Sequence, residues 1–294
     1  MQRAITMPLG IDIGATRIRV AFARWKRGRP RVEAIAVRDR AAGFSTASLI
    51  VDAWRELDTP ERRCILALGM PQAELLVSDI KPKADGDSGT IVRWHSIDRK
   101  TGRYALGRTR RGELEKRLAT LAETPLRAIA VDHESLALRR ALPQYRIVLD
   151  IGYSRTSLHL LDRDLPRTLS IPIGGREITA SVQEDLAIDA ASAEKRKRIY
   201  GVSGAGEAAR DRLATEIVTA LTTIGELLPE QRIALVGNGA LLAGFASDLC
   251  RACACQVDVP DSALLHDVPS SMRFYFGGAD SNLAAGLSIW ASTA

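Results

Sequence analysis

Apolar and polar positions divide the chain into short units of two kinds. Apolar runs that enter an Asp and a Gly, break at a polar turn and resume with period-two alternation mark β-hairpins. One such unit is Gly10-Ile11-Asp12-Ile13-Gly14-Ala15-Thr16-Arg17-Ile18-Arg19-Val20-Ala21. Near the midpoint a second reads Leu149-Asp150-Ile151-Gly152-Tyr153-Ser154-Arg155-Thr156-Ser157-Leu158-His159-Leu160. Both carry Asp-Ile-Gly-x-Thr/Ser-Arg, so the chain reads as two similar halves.

Around the first hairpin the pattern predicts strands at 31–38, 63–68, 74–80, 90–95 and 127–131. Helical spacing marks 47–57, 111–123, where Leu114, Leu118 and Leu121 share a face, and 134–142. In the second half strands are expected at 167–173, 232–236 and 256–259, and helices at 176–186, 190–200, 206–228, 240–253 and 281–290. Strands and helices alternate throughout, which places the chain in the α/β class.

Composition narrows the reading. A chain of 294 residues with 46% hydrophobic and 26% charged residues buries a core of two domains, or of one unit with two halves. The longest charge-free run, 233–247, is too short for a bilayer span, and the N-terminus has no signal-peptide pattern. A cytoplasmic protein without a membrane span is expected. The net charge of +6 is carried mostly by Arg. The basic stretches 17–40 and 93–117 have only Trp25, Trp94 and Tyr104 in or near them, too few for a base-stacking platform, so no nucleic-acid partner is expected. Cys250, Cys253 and Cys255 cluster, but no second Cys or His pair stands at zinc spacing, and half-buried packing accounts for them.

The chemistry lies in the repeated Asp-x-Gly. A single copy is as readily a plain turn, whereas two matched copies fit a phosphate site between two lobes. Gly14 and Gly152 let the backbone approach a phosphate, Thr16 and Ser154 add hydroxyls, and Asp12 and Asp150 are placed to hold a hydrated Mg²⁺. A third element, Gly237-Asn238-Gly239, follows an apolar strand and precedes a helix, where a nucleoside can touch bare backbone. The chain has neither the dinucleotide fingerprint nor a P-loop.

In this order and spacing, the three elements resemble the two phosphate loops and the adenosine loop of the actin-like ATPase superfamily. The segment from Val131 to Leu142, the run Ile173-Gly174-Gly175-Arg176-Glu177-Ile178-Thr179 and the run Ala193-Glu194-Lys195-Arg196-Lys197 resemble the type IV pilus assembly PilM family, whose pattern FtsA-like proteins share. The resemblance implies an actin-like (ribonuclease H-like) two-lobed fold with a nucleotide cleft between duplicated halves. Residues 1–145 would form the first lobe, with a reduced inserted subdomain at about 71–125, and 146–294 the second. It further implies ATP and Mg²⁺ as cofactors, with at most slow hydrolysis. Asp12, Gly14 and Thr16 would flank the phosphates on one side and Asp150, Gly152 and Ser154 on the other. Gly174, Gly175, Glu194 and Lys197 would approach the ribose and base, with Gly237 and Gly239 under the adenine. Glu134 or Asp132 would orient an attacking water. The implied partner is the cytoplasmic N-terminal tail of a PilN-like inner-membrane protein, docked near 90–121 by hydrophobic contacts with a basic rim, with self-association also open. The protein would then be peripheral to the inner membrane through its partners.

The sequence departs from the family in two places: the insertion is short, and Asn238 stands where relatives usually have Gly, which should narrow the space over the base. A sugar or small-metabolite kinase is the alternative on the same fold, but no convincing Asp sits in a polar cluster between Gly69 and Asp132. An activator ATPase with an iron-sulfur cluster would need cysteines at a subunit interface.

Overall fold

The computed structural model describes residues 5–40, 43–82, 89–98, 102–162, 164–224, 231–261 and 278–290. The first sheet is built from β1 (Ile5–Thr6), β2 (Leu9–Ile13), β3 (Arg17–Lys26), β4 (Arg29–Asp39), β5 (Arg63–Leu68) and β9 (Arg127–His133). The second sheet contains β10 (Ile147–Ile151), β11 (Thr156–Leu160), β12 (Arg167–Ile171), β13 (Arg232–Val236) and β14 (Gln256–Asp258). In the first sheet β4 pairs with β3, followed by β2, β5 and β9; in the second the order is β12, β11, β10, β13 and β14. The strand senses match as well, with antiparallel hairpins leading into parallel neighbours. The duplication read from two hairpins thus extends over whole sheets, giving the two-lobed actin-like fold.

Helix α1 (Thr46–Glu56), N-capped by Ser45, covers the first sheet, and its Leu49, Ile50 and Ala53 are buried there. On the second lobe α4 (Gly175–Leu186), α5 (Ala190–Tyr200), α6 (Glu207–Thr223) and α7 (Phe245–Cys253) accompany a core centred on Leu149, Leu158, Leu235 and Phe245. A third apolar layer joins the lobes. Helix α3 (Glu134–Ala141) supplies Ala137, Leu138 and Ala141, and α8 (Asn282–Ser288) supplies Leu283 and Leu287, against residues of β5, β10 and β13. The two helices meet at backbone distance, because a Cβ on Gly286 would lie 1.9 Å from the Ala137 carbonyl oxygen. Gly10 likewise admits α8 against β2, since its Cβ would stand 2.1 Å from the Ala284 carbonyl.

The last helix follows the second lobe in sequence but packs on β2, β3 and α3. Small residues on both surfaces make that approach possible. The insertion is a three-stranded antiparallel sheet of β6 (Ala73–Ser78), β7 (Thr90–Asp98) and β8 (Arg103–Arg110), ordered β6-β8-β7, followed by α2 (Arg111–Ala119). Strand β8 has no place among the assigned strands because Arg103, Arg108 and Arg110 interrupt its apolar pattern and only Ala105 is buried. Helix α2 ends at Ala119 and buries none of its residues; of the three leucines assigned to its face, only Leu121 beyond its end is buried.

The helix expected at 240–253 is two pieces. A 3₁₀ turn at Asn238–Leu241 precedes Gly244, whose φ of 79° breaks the run before α7 begins. The far end of the 206–228 helix lies outside the described residues beyond 224.

Candidate functional site

The two hairpins close identically. Gly14 N–H donates to the Arg17 carbonyl at 2.9 Å, and Gly152 N–H to the Arg155 carbonyl at 2.9 Å. Across each pair of strands Asp12 faces Arg19 and Asp150 faces Ser157. The loops line a polar cavity of about 160 Å³ between the lobes, into which Asp12, Glu134 and Asp150 converge with Arg19, Arg117 and Arg155.

Arg19 is the centre of this arrangement and is only 4% exposed. It donates to Asp12 Oδ2 at 3.1 Å, to Asp280 Oδ2 at 2.9 and 3.1 Å, and to Asn238 Oδ1 at 2.5 Å. Arg155 donates to Glu134 Oε1 at 3.4 Å, and Arg117 to the Ile13 carbonyl at 3.2 Å. Glu134 enters the cavity past Gly69, where a Cβ would lie 1.8 Å from its Oε2. Burial pushes the Asp150 carboxyl up to about 7, reinforced by Glu134 and Asp12 and opposed by Arg19 and Arg155. Burial also raises Asp12, against Arg19 and Arg117, and raises Glu134, against Arg155 and Arg117. Carboxylates buried near one another favour the protonated form of at least one of them.

A second, apolar cavity of about 200 Å³ adjoins the first, walled by Ile178, Leu213, Leu241, Leu242 and Phe245. Its polar edge is Glu194 with Lys197. The Lys197 ammonium donates to the Gly175 carbonyl at 2.9 Å and Thr179 Oγ1 at 2.7 Å, and pairs with Glu194 at 2.5 Å. Burial works to raise the Glu194 carboxyl, but bonds from Lys197, Thr179 and Arg198 prevail and hold it down at about 2. Burial lowers Lys197, opposed by Glu194. Lys197 is therefore a buried pocket residue, while Lys195 on the same helix is exposed.

Most of the residues read from the sequence come together here. Asp12, Gly14, Thr16, Asp150, Gly152, Ser154, Gly237 and Glu134 line the polar cavity, and Gly175, Glu194, Lys197 and Gly239 the apolar one. Gly237 (φ 75°) and Gly239 press on the second hairpin, their Cβ positions lying 2.1 Å from Asp150 Oδ1 and 2.4 Å from Ile151 Cβ. Two residues stand apart. Gly174 lines neither cavity; it lets the start of α4 lie on the second hairpin, where the N–H groups of Gly175 and Arg176 bond the Gly152 and Tyr153 carbonyls. Asp132 also lies off the cavity, held by Arg140 and by the His133 N–H at 2.8 Å. Sequence reasoning missed Arg19, Asp280 and Arg117. The signal for Arg19 was its cross-strand register with Asp12, whereas nothing local pointed to Asp280.

The donor set suits a nucleotide better than a metal held by the protein alone. Asp12 Oδ2 is taken by Arg19, and among the described residues no three His, Cys, Asp or Glu side chains converge as a metal cage. Asp150 accepts no side-chain hydrogen bond among the described residues, so it suits an ion held chiefly by phosphates and water. A third cavity, of about 580 Å³, lies where the inserted sheet meets α2, bordered by Gln72, Glu74, Thr90, Arg108, Glu113 and Lys116. Glu74, Glu113, Arg108 and Lys116 give this cavity a border that carries both charges.

No protein-family model matches the chain, nor does any curated protein. Among solved structures, it is similar to a chain of a PilM–PilN type IV pilus biogenesis complex, at 20% identity over 96% of this chain and 98% of that one, with a TM-score of 0.76. The fold is that of the actin-like ATPases. Ethanolamine utilization protein EutJ from Carboxydothermus hydrogenoformans shares the actin-like fold at 15% identity, over 95% of this chain and 89% of that one, with a TM-score of 0.63. So does the activator of 2-hydroxyisocaproyl-CoA dehydratase from Clostridium difficile with bound ADPNP, at 13% identity over 97% and 94%, with a TM-score of 0.56. No helix among the described residues is long and apolar enough to cross a membrane.

Proposed function

We propose that the protein is an ATP-binding scaffold of type IV pilus assembly or a related system, working in the cytoplasm at the inner membrane. The observation that carries the nucleotide half is the pair of adjoining cavities, one apolar and one polar with charges of both signs, at the seam between duplicated hairpins. Leu241, Leu242 and Phe245 offer a surface for the base, and Glu194 and Lys197 polar groups for the ribose. The Gly14 and Gly152 turns, with Thr16, Ser154 and Arg155, offer donors and positive charge to phosphates. Bound ATP would supply the phosphates that complete an ion site with Asp150. Glu134 is the residue suited to orient a water, but its ion pair with Arg155 restrains it, which accords with slow turnover.

The partner half rests on the inserted subdomain, which retains a groove at its junction with α2, and on likeness to a structure solved as a PilM–PilN complex. A PilN-like tail carrying both charges suits a groove bordered by Glu74, Glu113, Arg108 and Lys116. Closure of the lobes on ATP would then shift the population competent for docking.

Calorimetry of the full chain with ATP and Mg²⁺, beside an Asp12→Ala, Asp150→Ala double variant, tests the first half. Micromolar binding that the variant loses is expected, and absence of binding by the wild type would sink it. For the second half, a synthetic PilN-like tail peptide is titrated against wild type and Lys116→Glu; equal affinities would remove the groove from the proposal.

A further inference from the structure

The two cavities meet at a constriction. Thr16, from the first hairpin, Gly152 and Tyr153, from the second, and Asn238, from the loop after β13, each line both cavities. The Thr16 and Asn238 side chains are bonded across the cleft: the Asn238 amide donates to Thr16 Oγ1 at 2.8 Å, and its carbonyl oxygen accepts from Arg19 at 2.5 Å. The same guanidinium is held on its other edges by Asp12 and Asp280. One carboxamide therefore spans the lobes at the junction between a base-sized apolar chamber and the polar chamber beyond it. A residue with no side chain at this position would remove both bonds across the junction.

We propose that Asn238 is a specificity gate that disfavours ligands whose phosphates must cross the waist of the cleft, relative to a nucleoside held in the apolar chamber alone. A nucleoside leaves the bridge intact. A triphosphate occupies both chambers and must displace the carboxamide from Thr16 and Arg19, one of these bonds being charge-assisted. This inference rests on the nucleotide reading of the cleft and adds which ligands that cleft prefers.

The test is the ratio of ATP to adenosine affinity, measured by calorimetry on the full chain for wild type, Asn238→Gly and Asn238→Ala. Alanine keeps a Cβ and guards against any effect of glycine on the loop backbone. The ratio is expected to rise about tenfold in favour of ATP in both variants, equivalent to about 1.4 kcal/mol. An unchanged or lower ratio would overturn the gate while leaving the nucleotide reading in place, and a lower one would mark the carboxamide as a phosphate ligand. Failure of all three proteins to bind either compound would overturn the nucleotide reading and the gate with it.

Discussion

The first and second hairpins share strand order, register and turn closure, yet they differ in what faces the aspartate. Opposite Asp12 stands Arg19; opposite Asp150 stands Ser157. The first carboxylate is consequently paired with a buried guanidinium, while the second has no such partner and is pushed up by burial and by Glu134 and Asp12, against the more distant Arg19 and Arg155. Duplication of a backbone has thus produced two chemically different halves of one site. A single cross-strand residue separates a closed ion pair from an open acceptor.

The sharpest way to break this comparison is to remove the guanidinium. Arg19→Ala leaves Asp12 and Asp280 facing each other in a buried site and is expected to cost about 3–5 kcal/mol, since an uncompensated buried charge is expensive. Ser157→Ala at the matching position should cost no more than about 1.5 kcal/mol. Equal losses in urea unfolding would show that the two positions are not energetically distinct.

The glycines that end β5 and β13 extend the comparison. Each makes room for a carboxylate, Gly69 for Glu134 and Gly237 for Asp150. Gly237 has the left-handed φ of 75° as well, so Gly237→Ala combines backbone strain with a clash and is expected to cost about 2–5 kcal/mol. Gly69→Ala meets only the end of a side chain and should cost about 1–3 kcal/mol. Thermal unfolding of the two variants orders them, and the reverse order would contradict the account of the Gly237 turn.

A further effect is a pH dependence. Asp150 has a folded pKa of about 7 against an ordinary 3.8, so the folded state holds a proton that the unfolded state releases, and stability falls as pH rises between those values. Asp150→Asn is therefore expected to stabilise the protein at pH 8 by on the order of 2 kcal/mol, with the gain fading as pH falls through 7 toward 4. A gain that is constant with pH would mean that Asp150 is not the titrating group.

Much of the site was legible because its elements are local. Asp12-x-Gly14, Asp150-x-Gly152 and Gly237-x-Gly239 each combine an apolar strand end with a turn, and strand periodicity places such ends at the same edge of a sheet. Glu194 and Lys197, one helical turn apart, were legible as a pair but not as a buried one, because a charged helix of this composition reads equally well as solvated. Asp132 and Glu134 looked interchangeable in sequence. Only the direction each takes at the β9–α3 junction separates a carboxylate held by Arg140 from one that reaches the cleft.

What the sequence by itself determined is the duplicated hairpin, the α/β alternation and the identity of the loops, since these depend on periodicity and turn chemistry within a few residues. The tertiary structure decided the charge balance. Asn238 and Asp280 reach Arg19 from 219 and 261 residues away, and Asp280 does so only because α8 returns to the first lobe through Gly10 and Gly286. Whether a buried charge is paired depends on which distant surfaces can approach to backbone distance, and that is a property of packing with no trace in local sequence.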